Sequence, residues 1–270
     1  MIRALFFDLD GTLLTSDRRL SDVNAAALAA CRERGIKLFV ATARAPRLAN
    51  TLGWGEREFS LFDGCIYFNG GYVCAGDETR FYTIYSDVVS EIVACVAAFP
   101  GARLCLLMPD HLQALNHDPD DGSLSHWGYN PAKLVALDNS SMANTIKLLV
   151  YHDDSGSIPL KPEIADALRS VCKDRAQFYL TDHDSLIQIT ALESNKASAI
   201  RRVAVRLGLR EDEIAVFGDD YNDLEMIRAF PESVAMGNAC PELKAAAKYV
   251  TLSNDDDGIA HALKQLLHLL

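Results

Sequence analysis

Asp8 and Asp10 stand two residues apart at the end of a short apolar run, and Gly11 and Thr12 follow at once. Alternate side chains of a strand point to the same side, so the two carboxylates share a face, and Gly11 permits a sharp exit. Neighbouring carboxylates repel, and the conflict is relieved by a cation or by a shared proton. A cation would keep Asp8 ionised as a nucleophile, whereas a proton on Asp10 would make it a general acid. The same string also suits a solvated turn, because Asp and Gly are ordinary turn residues.

A second acidic cluster, Gly218-Asp219-Asp220-Tyr221-Asn222-Asp223, follows the apolar run Ile214–Phe217. Its donors are hard oxygens with no His or Cys beside them, which favours Mg2+ over zinc. These residues would equally cap and charge the first turn of a helix over Asn222–Ala229, and capping is compatible with ligation. Thr42 follows a strand and is expected to open a helix, so its hydroxyl and the next backbone N–H, that of Ala43, would suit a phosphate oxygen. Lys196 begins a helix after the strand-like Leu186–Leu192, and its ammonium would bridge a phosphate and a carboxylate. Taken singly, a threonine and a lysine are ordinarily a cap and a surface charge.

The elements that must position these groups alternate. Strands are expected at Arg3–Leu9, Ile36–Ala41 and Cys65–Phe68, the last closed by Asn69-Gly70-Gly71. Ser21 is placed to cap a helix through Arg34, with Gly35 as its stop, and Pro46 suits the first turn of the next. The rhythm resumes with a helix over Lys196–Leu207, then strands at Ile214–Phe217, Ser233–Met236 and Tyr249–Leu252, and a terminal helix after Asp255–Asp257. Such alternation predicts an α/β fold, a doubly wound and mainly parallel sheet. Between the halves lie a helix at Ser86–Ala98 and a hairpin around Pro109-Asp110. Beyond the polar loop His117–Pro131 come Thr145–His152, a helix over Pro162–Lys173, and strands Gln177–Leu180 and Ser185–Thr190. That pattern predicts an α+β domain over residues 83–189, inserted into a core made of residues 1–82 and 190–270.

Composition narrows the class further. The net charge of −11 disfavours general nucleic-acid binding, which needs a basic surface. Seven cysteines stand singly, with no C-x-x-C pair, as expected for reduced thiols in a cytoplasmic protein. The apolar start at Met1–Phe7 is too short for a signal peptide, and no stretch approaches a membrane span. A monomer is the default expectation.

Four groups in this order, each at a strand-to-helix transition, resemble the haloacid dehalogenase superfamily of phosphatases. Asp8-Leu9-Asp10-Gly11-Thr12 matches its first motif, Thr42 its second, Lys196 its third, and Gly218-Asp219-Asp220 with Asn222-Asp223 its fourth. The long insertion, with Asn69-Gly70-Gly71 ahead of it, resembles the Cof-type IIB subfamily and its α/β cap on a Rossmann-like core. The resemblance implies a Mg2+-dependent phosphatase acting on small phosphorylated metabolites, such as sugar, cofactor or nucleotide phosphates. Asp8 would be the nucleophile and form an aspartyl phosphate, and Asp10 the acid and then the base. The metal would be held by Asp8, Asp219 and the Asp10 backbone carbonyl. Leu9, Thr42, Ala43, Lys196 and Asn222 would bind the phosphoryl group, with Asp223 supporting the lysine or the metal's waters. The cap would act as a lid. Two positions depart from the family pattern, Ala43 and Ala197, where glycine is usual; a methyl at Ala43 narrows the approach to phosphate. A phosphomutase or phosphotransferase would use the same chemistry with a sugar hydroxyl as acceptor. A non-catalytic phosphometabolite-binding protein is the alternative from another class, against which the intact Asp8, Asp10, Lys196 and Asp219 weigh. A dehalogenase fits less well, because two carboxylates and a metal cluster suit phosphoryl chemistry. His111, His126, Trp127 and His183 could touch a substrate, but His and Trp in loops are more often half-buried surface; Tyr221 could stack on a cofactor, but packing is the commoner role of such a ring.

Overall fold

Short apolar runs that are covered on both faces become parallel strands. In the computed structural model, which describes residues 1–118, 130–152, 158–181 and 183–270, β1 (Ala4–Phe7) is such a run, with all four residues buried. It lies between β2 (Lys37–Ala41) and β12 (Ile214–Gly218), parallel to both. Phe6 faces Phe39 in register and their rings stack at 4.7 Å; Phe7 does the same with Phe217 at 4.7 Å. Strand alternation sends the two stacks to opposite faces, so each neighbour of β1 is fixed by its own aromatic pair.

The chain forms two compact units, Met1–Arg80 with Asn195–Leu270, and Phe81–Ser194. Among the described residues, the first holds an eight-stranded sheet in the order β14-β13-β12-β1-β2-β3-β4-β5. Its other strands are β3 (Gly64–Tyr67), β4 (Tyr72–Ala75), β5 (Glu78–Phe81), β13 (Glu232–Ala235) and β14 (Tyr249–Val250). From β14 to β3 the pairing is parallel, and β4 turns back antiparallel on β3. The parallel sheet agrees with the sequence reading. The β4–β5 extension was not anticipated, because β5 is mostly exposed and carries no apolar alternation.

Two long helices of the first unit begin on a side-chain cap. Ser21 accepts the Asn24 N–H to start Asp22–Glu33, and Asn195 accepts the Ser198 N–H to start Lys196–Leu207, which stops at Gly208 in the left-handed conformation. One expectation fails. Thr42 does not open a helix; the next helix is Leu48–Leu52. Pro46 disfavours helical backbone at Ala45, and the Thr42 hydroxyl instead accepts the Arg44 N–H at 3.1 Å, closing a local turn.

The second unit carries a six-stranded sheet among its described residues, in the order β10-β11-β9-β6-β7-β8. These are β6 (Arg103–Leu107), β7 (Gln113–Leu115), β8 (Leu134–Val135), β9 (Lys147–Tyr151), β10 (Ala176–Thr181) and β11 (Leu186–Ala191). Every pairing is antiparallel except β7 with β8. Leu104, Leu106, Leu148, Val150, Ile187 and Ile189 share one face, and Val88, Ile92, Ile164 and Leu168 cover it from the helices Ser86–Ala97 and Pro162–Cys172. The short helix Asn139–Ala143 escaped the sequence reading, since five residues are too few for a 3.6-residue period to show. His111 and His183 are exposed, and His126 and Trp127 lie outside the described residues. No helix among the described residues is long and apolar enough to cross a membrane.

The Phe6–Phe39 stack makes β1 sensitive to truncation. Phe6→Ala should lower the unfolding free energy by about 3–5 kcal/mol in denaturant titration. Val205→Ala, at an 81% exposed position, should stay within about 0.5 kcal/mol.

Candidate active site

Register decides which residues meet. Phe7 pairs with Phe217 on one side and Val40 on the other, so the three strands end level. Asp8 donates its N–H to the Phe217 carbonyl at 3.0 Å, and Thr42 donates to Ile66 at 2.8 Å. Asp8, Thr42 and the Gly218-Asp219 turn therefore lie at the carboxyl ends of adjacent parallel strands, the usual ligand edge of an open α/β sheet.

Into this edge the helix Lys196–Leu207 delivers Lys196, fully buried by its first-turn position. The ammonium donates to Asp8 at 2.5 Å and to Asp223 at 2.6 Å. Asp223, also fully buried, uses its other oxygen to accept the N–H groups of Asp219 at 3.0 Å and Asp220 at 3.3 Å. One carboxylate thus ties the lysine to the turn that carries Asp219. Asp219 accepts the Thr12 hydroxyl at 2.7 Å, and its carbonyl accepts the Cys240 N–H at 2.9 Å. Gly11, in the left-handed conformation (φ 77°), lies so close to Asp219 that a Cβ there would collide with the carboxylate.

Carboxylate oxygens of Asp8, Asp219 and Asp223 lie within 4.8 Å of one another. Burial would lower the pKa of Lys196, but Asp223 and Asp8 outweigh it and hold the ammonium firmly protonated. Burial also raises the Asp8 carboxyl well above its ordinary value, with Asp223 and Asp219 adding repulsion against the pull of Lys196. Asp219 is pushed up to about 7, first by burial and then by Asp223. Three acids face one ammonium. The excess of negative charge and the all-oxygen donor set fit a hard divalent cation.

Asp10 is turned differently. Its carboxylate takes a two-pronged bond from Arg44, Nε and Nη2 each at 2.6 Å. Burial acts against the charged guanidinium, but Asp10 and then Asp8 raise the Arg44 pKa overall. Asn222 donates its side-chain N–H to Asn69 at 3.3 Å. Leu9 is buried and Ala43 partly exposed, both at the same strand ends. The structure therefore brings Asp8, Lys196, Asp219 and Asp223 into one bonded group, with Thr42 at the neighbouring strand end. Arg44, Thr12 and Asn69 were missed as contributors. Each sits inside or beside a motif that the sequence reading quoted, yet a lone residue of these types carries no signal of its own.

The crowded acids predict a pH dependence. A carboxyl raised in the folded protein binds a proton that the unfolded chain has already lost, so its contribution is complete below the ordinary value and disappears as pH climbs through about 7. In chelator, the thermal midpoint should fall between about pH 5 and about pH 8, and Asp219→Asn should flatten that slope. A wild-type midpoint that holds steady over this range would contradict the assignment.

The sequence profile of the haloacid dehalogenase-like hydrolases matches residues 5–263. The 5-amino-6-(5-phospho-D-ribitylamino)uracil phosphatase YcsE of Bacillus subtilis (strain 168) is 24% identical over 263 residues, covering 97% of this chain and 95% of its own. Phosphatase YwpJ of the same organism is 27% identical, covering 98% of this chain and all of its own. Among solved structures, the HAD subclass IIB sugar phosphatase BT4131 superposes with a TM-score of 0.81 at 26% identity, over 99% of this chain and 100% of that one. With the profile spanning nearly the whole chain and the core-plus-cap fold shared, this chain belongs to the haloacid dehalogenase-like hydrolases, as a phosphatase of the Cof-type IIB branch.

Proposed function

We propose that the chain is a Mg2+-dependent phosphatase of small phosphorylated metabolites, working through an aspartyl phosphate on Asp8. The observation that carries the proposal is the buried chain Asp8–Lys196–Asp223 beside Asp219 at the carboxyl ends of β1 and β12. Lys196, paired to Asp8 and Asp223, pulls Asp8 toward the carboxylate against its burial, and a bound divalent cation would complete that ionisation. Mg2+ would be held by Asp8, Asp219 and the Asp10 backbone carbonyl, and when bound it would neutralise charge on the phosphoryl group.

In the first step an Asp8 oxygen forms a bond to phosphorus while the bond to the leaving oxygen breaks, and Asp10 gives that oxygen a proton. In the second, a water oxygen attacks the same phosphorus, Asp10 takes the water's proton, and Asp8 departs as a carboxylate. Asp10 must first release an oxygen from Arg44; an arriving phosphate offers the guanidinium another anion. Lys196, Thr42, Asn222 and the backbone N–H groups of Leu9 and Ala43 would bind the phosphoryl oxygens, with Asp223 fixing Lys196. Positioning and charge balance supply most of the rate in such transfers. The unit Phe81–Ser194 is assigned the part of the cap, and the rest that of the catalytic core. Support for a phosphorylated polyol or sugar comes from relatives named for a phosphoribityl compound and for sugars.

Phosphate release from a panel of sugar and cofactor phosphates should require Mg2+ and stop with chelator. Asp8→Asn should abolish turnover while the fold stays intact, and substantial Mg2+-dependent activity in that variant would refute the nucleophile. Asp10→Asn should slow release by about 10^2–10^4-fold. Ala43→Gly, which restores the family's usual residue, should alter activity only modestly.

A further inference from the structure

The turn Phe68-Asn69-Gly70 has no part in the chemistry above, yet it touches Thr42 and Asn222, two of the groups assigned to phosphate, and also Arg44. Asn69 donates its backbone N–H to the Thr42 carbonyl at 3.0 Å, and Phe68 donates to the Arg44 carbonyl at 3.1 Å. The Asn69 side-chain oxygen accepts Nδ2 of Asn222 at 3.3 Å. Gly70 packs against the residue that caps the Lys196 helix: a Cβ there would stand 2.7 Å from the Asn195 carbonyl oxygen. Asn69 is 1% exposed and left-handed, with φ 54°.

Backbone conformation alone does not account for an asparagine here. Glycine adopts the left-handed region freely and would make the same bond to Thr42, whereas asparagine is the side chain that tolerates this region and also offers an acceptor. The distinctive part of Asn69 is its buried carbonyl oxygen, and its partner is Asn222. An amide that gives one of its two N–H bonds to a fixed acceptor is held in one orientation, and its second N–H remains for another oxygen.

We propose that Asn69 is a positioning residue for the phosphatase reaction, acting through Asn222 by fixing the amide that receives a phosphoryl oxygen. The proposal rests on the reading of the site given above. The same turn is bonded to the Thr42 loop and to Asn222 and packs against Asn195 at the start of the Lys196 helix, so it meets three segments that carry groups assigned to phosphate.

A double-mutant cycle tests this. Asn69→Gly removes the side chain while the turn keeps its left-handed backbone; a thermal midpoint close to wild type checks that the core is intact. With p-nitrophenyl phosphate and Mg2+, Asn69→Gly should lower kcat/KM by about tenfold. In an Asn222→Ala background the same change should have almost no effect, since the group it positions is gone. A purely structural role would reduce activity equally in both backgrounds, and that additive result would overturn the inference, as would an Asn69→Gly enzyme within about twofold of wild type. Absence of Mg2+-dependent phosphate release from the wild type would instead sink the phosphatase reading, and this inference with it.

Discussion

A fully buried ammonium between two carboxylates is the constraint on which the rest of the site depends. Burying Lys196 is costly unless it is paired, and here it is paired twice, with Asp8 and Asp223. Replacing such a group with well-packed apolar side chains is often neutral or stabilising, so folding alone gives little reason to keep it. Its partners explain it better. Asp8 lies at the end of the central strand, and Asp223 holds the turn that carries Asp219, so the lysine sets the spacing between two acids contributed by different strands.

That arrangement leaves a deliberate imbalance. One ammonium cannot neutralise three carboxylates, and burial, with that deficit added, raises the carboxyls of Asp8 and Asp219. Small residues make the crowding possible: Gly11 admits the Asp219 carboxylate where any Cβ would exclude it, and Thr12 gives that carboxylate a hydroxyl. The strand ends are held by backbone bonds and by the two aromatic stacks on β1. Rigid framework and electrostatic tension are thus concentrated at the same edge, as expected where charge is to be met by a ligand.

The two units differ in how much of their chemistry can be read. In Met1–Arg80 with Asn195–Leu270, polar groups cluster directly after apolar strands, so their positions follow from the strands that precede them. In Phe81–Ser194 one sheet face is accounted for by two helices and their apolar partners. Polar residues there are scattered through strands and turns, and no spacing distinguishes a ligand contact from a solvated side chain.

By itself, the sequence determined the alternating strands and helices, the parallel sheet, and the presence of Asp8, Asp219 and Lys196 at strand-to-helix junctions. These are local properties: apolar periodicity, capping residues and glycine stops act over a few positions. Only the tertiary structure decided that Asp10 is held by Arg44, that Asp219 leans on Thr12 across 207 positions, and that Asn222 meets Asn69 across 153. It also decided that Thr42 closes a turn rather than opening a helix. Such pairings depend on strand register and on how loops pack at the sheet edge. No local pattern encodes them, because a one-residue slip in register would rearrange all of them while leaving every short-range signal unchanged.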